Sequence, residues 1–317
     1  MLDRETTETK AAIDEIASDN ISGAAEILQR SAAIFSLLKP PDHPSFSVER
    51  AREIIIKTCV ALVNSQPYMS SLVRLASEAV AATREHTTGP EAMRSAVDAA
   101  ARFVESAMAS AHAAAMHAVN LIADGSTVMT HSRSSTALEA LIEARRAGKH
   151  FEVVATESRP MFEGRKLASE LANSAIKVTI IADAAVSLFI ERAHIVLTGA
   201  DKITPEHAMN KIGTRMIALA ARERGLPIYA ICDTSKFIAA DYLRNAGKDQ
   251  MSAEELWPDA PSGVMVINRY FESTPLAYFT GIVTELGVLS IMDASLAAEK
   301  TSIDQLLAAA LESHGIR

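Results

Sequence analysis

Five short apolar runs in the second half of this 317-residue chain each end in polar residues that can do chemistry. Val128–Met129 lead into Thr130-His131-Ser132, and Val153–Val154 into Thr156-Glu157-Ser158-Arg159. Val178–Ile181 lead into Asp183, Ile195–Leu197 into Thr198-Gly199-Ala200-Asp201, and Ile228–Ile231 into Asp233. Segments with helical character separate them. Strands of this length alternating with helices make a parallel α/β sheet, with both faces covered by right-handed crossovers. In such a sheet ligands bind beyond the carboxyl ends of the strands, where these polar residues fall.

The first part of the chain reads differently. Ile13 and Ile16, Ile27 and Leu28, and Ile34, Leu37 and Leu38 recur at helical spacing, broken by Pro40-Pro41-Asp42-His43-Pro44 and by Gly89-Pro90. Ser47 suits the N-cap of a helix running through Ile54 and Leu62. Glu91 to Asn120 is mostly Ala and predicts a long, closely packed helix. The expected architecture is α/β, with an all-helical domain over residues 1–123 and a parallel-sheet domain over 124–317. Within the latter, Ser135–Arg146 and Lys211–Arg224 are expected as helices. Val264–Ile267 and Ile282–Thr284 are expected as further strands, residues 241–262 as an irregular excursion, and the tail from Asp293 as helix.

Composition narrows the function. With 49% hydrophobic and 22% charged residues the chain is globular, and no apolar run approaches the roughly 18 residues of a membrane span. The polar start, MLDRETTETK, does not read as a secretory signal. Cys59 and Cys232, the only cysteines, suit a reducing cytoplasm and allow no disulfide framework. A net charge of −8 and a single Trp argue against nucleic acid as a partner, since that needs clustered cations and stacking surface. His112 and His117 stand five apart and not four, so no metal is assigned to them, and no cofactor is expected.

Each candidate residue has a functional and a structural reading. Asp201 can serve as a general acid or base, or hydrogen-bond its own loop. Asn210-Lys211-Ile212-Gly213-Thr214 is expected to open a helix whose free N–H groups, with the Lys211 ammonium and Asn210 amide, suit a phosphate; alternatively Asn210 only caps and Lys211 is solvated. Ser132, Arg133, Ser134 and Ser135 form a hydroxyl-rich turn able to cradle phosphate oxygens. His131 is badly placed to activate Ser132, because neighbours on a strand point to opposite faces. Arg159 can meet a ligand anion or pair with a loop carboxylate, Asp183 can cap the following helix, and Cys232 reads as a core thiol.

Taken in order, Thr130-His131-Ser132-x-Ser134-Ser135, Thr156-Glu157-Ser158-Arg159-Pro160-x-x-Glu163-Gly164, Gly199-Ala200-Asp201-x-Ile203-Thr204, Asn210-Lys211-Ile212-Gly213-Thr214 and Thr284-Glu285-Leu286-Gly287 resemble the eukaryotic initiation factor 2B α/β/δ subunit family. That family includes archaeal initiation-factor-2B-like proteins. Its superfamily holds two sugar isomerases, acting on methylthioribose 1-phosphate and on ribose 1,5-bisphosphate. The resemblance implies an N-terminal helical domain, a C-terminal Rossmann-like domain, homodimers able to assemble further, and an initiation-factor-like protein partner.

The resemblance also implies how an isomerase would work. In the isomerases a Cys follows the Thr-His pair and works opposite the Asp of the Gly-Ala-Asp motif; here Asp201 is kept and Ser132 stands in the Cys position. A hydroxyl titrates several units above the ~8.5 of a thiol, so Ser132 is a poor proton donor. The isomerases' N-terminal Arg-Gly-Ala loop corresponds to Ser22-Gly23-Ala24, and their Arg-Pro pair to Gln66-Pro67. Two phosphate-binding cations are therefore missing, each worth ~1.5–3 kcal/mol in charge-assisted hydrogen bonds. The first expectation is thus a regulatory or binding protein holding a phosphorylated sugar or nucleotide through Asn210, Lys211, Arg159 and Asp201. The second is an aldose-1-phosphate to ketose-1-phosphate isomerase using Asp201 with Ser132, and a third is an assembly subunit that binds nothing at this position.

Overall fold

The computed structural model describes residues 2–39, 46–239 and 251–315. The Pro40–Pro44 cluster and the first part of the expected excursion, 241–250, lie outside the described residues. Helices α1 (Leu2–Ser18), α2 (Ala24–Phe35), α3 (Val48–Ser65), α4 (Ser70–Ala81) and α5 (Gly89–Val119) come first. Ser47 caps α3, its hydroxyl accepting from the Arg50 N–H. Strand β1 (Thr127–Thr130), α6 (Ser135–Arg146), β2 (Glu152–Thr156), α7 (Glu163–Asn173), β3 (Lys177–Ile181), α8 (Val186–Phe189) and β4 (Ile195–Gly199) follow. Then come β5 (Lys202–Ile203), β6 (His207–Lys211), α9 (Thr214–Glu223), β7 (Ile228–Ile231), β8 (Phe271–Pro275), β9 (Gly281–Thr284), β10 (Gly287–Leu289), α10 (Ile291–Glu299) and α11 (Gln305–Ser313).

The chain divides into two compact units. One comprises Met1–Ala109, Ser235–Asn245 and Thr301–Arg317, the other Ser110–Thr234 and Ala246–Lys300. This differs from the split at 123/124 suggested by composition. The change falls within α5, and the C-terminal helix α11 belongs with the helical unit because Leu307 and Leu311 enter its core beside Ile16, Ile55, Leu72 and Leu75.

The second unit is built on a sheet of order β10-β9-β7-β4-β1-β2-β3, in which every neighbouring pair is parallel except the β9–β10 hairpin. The central strands β1, β2 and β4 are apolar and buried along most of their length, as strands covered on both faces must be. Val128, Val153 and Leu197 pack with Leu141, Leu167 and Leu171 of α6 and α7 into one core cluster. Strand order reverses between β1 and β4, and the crevice at such a reversal is where open α/β sheets take their ligands.

Three expectations fail locally. Val264–Ile267 is not a strand: Val264, Met265 and Ile267 are exposed, with no sheet face to cover them, and the strand is Phe271–Pro275 instead. Asn210 and Lys211 do not open a helix. They end β6, the middle strand of a small antiparallel sheet of order β5-β6-β8, and α9 begins only at Thr214. Lys211 is not solvated either, being only 3% exposed.

Candidate functional site

Because the long strands run parallel, the turns after β1, β2, β3, β4 and β7 all emerge at one edge of the sheet, and hydrogen bonds tie the first three together. His131, which follows β1, is 1% exposed. Its Nε2 lies 2.8 Å from the Ile212 carbonyl and its Nδ1 2.6 Å from Thr156 Oγ1. A carbonyl only accepts, so Nε2 carries the proton and Nδ1 accepts from the Thr156 hydroxyl; this tautomer follows from the network. Burial pushes the imidazole pKa down from 6.5 to about 4, against the opposing pull of the Ile212 carbonyl and Asp183, with Lys211 adding to the depression. His131 is a neutral strut between the β1 and β6 turns, with neither nitrogen available to Ser132.

Ser132 and Ser158 both adopt φ of 61°, uncommon for residues with a side chain. The Ser132 N–H donates to Ser158 Oγ at 2.8 Å, binding the two turns to each other. The Asp183 carboxylate, from the turn after β3, accepts from the Ser158 and Arg159 N–H groups, both at 2.8 Å. Asp183 thus holds its neighbour's turn and does not cap its own helix through its side chain. Backbone strain over-determined in this way gathers at sites where geometry matters.

Lys211 is a buried cation at this edge. Its Nζ lies 2.6 Å from Glu163 Oε1 and 4.9 Å from the centroid of the Tyr270 ring, over its face. Glu163 starts α7, and Gly164 shows why that helix can sit so close to β2: a Cβ there would lie 1.8 Å from the Thr156 carbonyl oxygen. Glu163 Oε2 is buried and has no hydrogen-bond partner among the described residues. Tyr270 donates its hydroxyl to Glu255 Oε2 at 2.5 Å, and Asn268 Nδ2 donates to the same oxygen at 2.8 Å. Burial, with the Glu255 hydrogen bond, holds the Tyr270 phenol above its ordinary pKa.

The remaining expected residues divide. Asp201 lies just past β4, its N–H donating to the Met209 carbonyl at 2.9 Å, so it stands beside β6. Asn210 Nδ2 donates to Thr214 Oγ1 at 2.9 Å. Gly213, with φ of 106°, precedes α9, and the free N–H groups of that helix are not open to a phosphate: Gly213 and Arg215 both donate to Glu272 Oε1, at 2.7 and 2.9 Å. The helix terminus already has its anion. Arg133 forms a bidentate pair with Glu170 at 2.8 and 2.9 Å, and Ser134 caps α6 by accepting from the Ala137 N–H. The Arg159 side chain is exposed and lies over the Phe162 ring, 5.0 Å from its centroid. Glu285 of the Thr284–Gly287 segment accepts from the Thr234 N–H at 3.0 Å and from its hydroxyl, closing the turn after β7.

In the helical unit, Gly23 is the N-cap of α2, which Ala24 begins, and the Ser22 N–H donates to Asp19 Oδ1 at 2.9 Å. Gln66 Nε2 donates to the Ile16 and Asp19 carbonyls at 2.8 and 3.0 Å, completing the end of α1. Ser22 and Gln66 therefore meet at Asp19. Burial works to raise the Asp19 carboxyl, but the hydrogen bonds from Ser22 and Ile21, joined by the Arg30 guanidinium, overcome it and bring the pKa down to about 2.

Sequence reading passed over Glu163, Tyr270, Glu255 and Glu272 as individual site residues. Only Glu163 carried a signal, the adjacent Gly164 that lets α7 approach β2. No group of His, Cys, Asp and Glu among the described residues is arranged to hold a metal. No helix among them is long and apolar enough to cross a membrane.

Comparison with known proteins agrees with this arrangement. The chain is 32% identical over 289 residues to a ribose 1,5-bisphosphate isomerase of Archaeoglobus fulgidus, covering 89% of this chain and 90% of the relative. It is also 32% identical to a translation initiation factor eIF-2B subunit 2-like protein of Pyrococcus horikoshii, covering 87% and 94%. The crystal structure of a translation initiation factor eIF-2B from Pyrococcus horikoshii superimposes with a TM-score of 0.76 at 30% identity, over 89% of this chain and 97% of that one. The model of the initiation factor 2 subunit family matches residues 24–291, and the chain belongs to that family.

Proposed function

We propose that this protein binds a phosphorylated sugar, or a nucleotide carrying one, at the carboxyl edge of its sheet, and acts as an initiation-factor-2B-like binding or regulatory protein without turnover. The observation that carries the binding half is the Glu163–Lys211 pair. A buried ammonium beside a buried carboxylate oxygen that has no donor among the described residues suits a ligand bearing both an anion and hydroxyl groups. Asn210 of β6 and Asp201, whose N–H donates to the neighbouring Met209 carbonyl, add an amide and a carboxylate to that edge.

The absence of turnover rests on proton chemistry. Moving a proton between C1 and C2 of an aldose phosphate needs a pair of groups that exchange protons near neutrality. Ser132 stands where the isomerases carry a thiol, and the only imidazole at this turn is held neutral with both nitrogens engaged. Neither Ser132 nor His131 therefore supplies the second proton-exchanging group that catalysis by Asp201 would need.

A second reading is aldose–ketose isomerisation with Asp201 as acid/base and Ser132 or a water in place of the thiol. The specific observation in its favour is the near full-length similarity to the ribose 1,5-bisphosphate isomerase. Under either reading the protein is taken to work as a homodimer or larger assembly in the cytoplasm, with a protein partner of the initiation-factor kind.

A thermal-shift panel of ribose 1-phosphate, ribose 1,5-bisphosphate, methylthioribose 1-phosphate and purine nucleotides tests binding directly. A ligand at 100 times its Kd stabilises by ~2.7 kcal/mol, which is a readable rise in Tm. A rise with one or more phosphorylated sugars or nucleotides that disappears in Lys211→Met supports the proposal. No rise with any of them overturns it.

A further inference from the structure

Lys211 has an unusual seat for a cation expected to contact a ligand. It is 3% exposed, and among the described residues its one ionic contact is the Glu163 carboxylate at 2.6 Å. The other defining contact is the face of Tyr270, 4.9 Å from Nζ to the ring centroid. Tyr270 is 4% exposed and is itself fixed from both ends. Its carbonyl accepts from the Ile212 N–H at 2.8 Å, and the residue after it, Phe271, is paired with Lys211 in the β6–β8 register. At the far end the hydroxyl donates to Glu255 and lies 3.2 Å from Met161 Sδ. Glu255 is held in turn by Asn268, whose amide also donates to the Ser252 carbonyl at 2.8 Å.

A lysine has four rotatable side-chain bonds, and one carboxylate contact does not fix an ammonium in direction. A ring face under the charge does, by attracting it along the ring normal. We infer that Tyr270 is a positioning residue for Lys211: its ring, clamped by Glu255 and Asn268, fixes the direction in which the ammonium meets a ligand. This rests on the proposed reading of Lys211 as a ligand contact, and it links the 251–270 segment to that contact. Glu255 and Asn268 act one step further out, holding the ring and not the ammonium.

The test uses the full-length protein labelled with ¹⁵N and ¹³C at lysine. In the wild type, the Lys211 ammonium and ε-methylene protons are expected upfield of the other lysines, because they lie over an aromatic face. Tyr270→Phe keeps the ring but not its hydrogen bond to Glu255, and is expected to keep part of that displacement. Tyr270→Met fills comparable volume without a ring and is expected to lose it. Titration with ribose 1,5-bisphosphate as the probe is expected to give a Kd roughly 2- to 30-fold weaker for Tyr270→Met, the span of a cation–π contact, with Tyr270→Phe falling between it and the wild type.

Wild-type Lys211 resonances with no upfield displacement overturn the inference without any variant, so failure of the methionine protein to fold does not shelter it. A Tyr270→Met protein that melts lower but keeps both the resonances and the Kd also overturns it, leaving Tyr270 as packing alone. If the wild type does not bind the probe, the proposed ligand class fails, while the resonances still decide whether Tyr270 orients Lys211.

Discussion

Lys211 and Glu163 lie 48 residues apart in sequence and 2.6 Å apart in space, the lysine at the end of β6 and the glutamate at the start of α7. Taking one partner from a buried pair leaves an uncompensated charge, which costs ~3–5 kcal/mol. Glu163 is about one-fifth exposed, so Glu163→Ala is expected near ~3 kcal/mol. The double variant Glu163→Ala/Lys211→Met, compared with Glu163→Ala and Lys211→Met, is expected to recover part of that loss, giving a coupling above ~1 kcal/mol in urea unfolding. Strict additivity of the two single variants would show that the pair is not coupled in solution.

His131 makes stability depend on pH. Its folded pKa of about 4 lies below the ordinary 6.5, so the unfolded chain binds more protons between those values. The contribution is complete above pH 6.5 and is lost as pH falls toward 4, with a slope of up to ~1.4 kcal/mol per pH unit. Unfolding free energies measured from pH 7.5 to 4.5 are expected to fall more steeply for the wild type than for His131→Gln. Parallel curves would contradict the buried, neutral assignment.

Gly164 sets the distance between α7 and β2. A methyl group there meets the Thr156 carbonyl at 1.8 Å, so Gly164→Ala must push the helix away and take Glu163 with it. The expected cost is about 3 kcal/mol, at the upper end for overpacking. Chemical-shift changes are expected at Lys211 as well. A variant as stable as the wild type would mean that α7 stands further from β2.

Gln66 and Asp19 carry a separate prediction in the helical unit. Gln66→Ala removes two donors from the Ile16 and Asp19 carbonyls and is expected to destabilise by ~1–2 kcal/mol. The Asp19 contribution is lost in a more acidic window than that of His131. Its pKa is depressed from 3.8 to about 2, so its stabilisation is full above pH 4 and is lost only as pH falls toward 2. Melting temperatures of Asp19→Asn and wild type between pH 2 and 5 check this; the gap between them should close at the acid end.

What could be read from sequence followed from local rules. Apolar runs bounded by turn residues gave β1, β2, β4 and β7, because strands buried on both faces have no alternation to hide. Ser47 as a cap and Gly148 after α6 were legible for the same local reason. The β5-β6-β8 sheet was not, since its strands mix polar and apolar residues and one is two residues long. Val264–Ile267 looked like a strand by composition, yet its side chains face outward.

The site was half legible. Topology put Ser132 and Asp201 at one edge, as strand ends in a parallel sheet must be, whereas Asn210 and Lys211 end a strand of the separate antiparallel sheet. The partners were hidden because they come from distant positions: Glu163 for Lys211, Glu272 for the α9 terminus, Glu170 for Arg133. A helix start read as open to phosphate is in fact filled by the Glu272 carboxylate, 57 residues beyond Arg215. Such pairings leave no trace in spacing.

Phosphorus and carbon NMR of ¹³C-labelled ribose 1,5-bisphosphate incubated with the protein reports binding and turnover in one sample. The account predicts broadened ligand resonances that sharpen when Lys211→Met replaces the wild type, with the C1 signal of the aldose unchanged over hours. Growth of a ketose C2 signal that Asp201→Asn abolishes, or sharp ligand lines in the presence of the wild type, would contradict it.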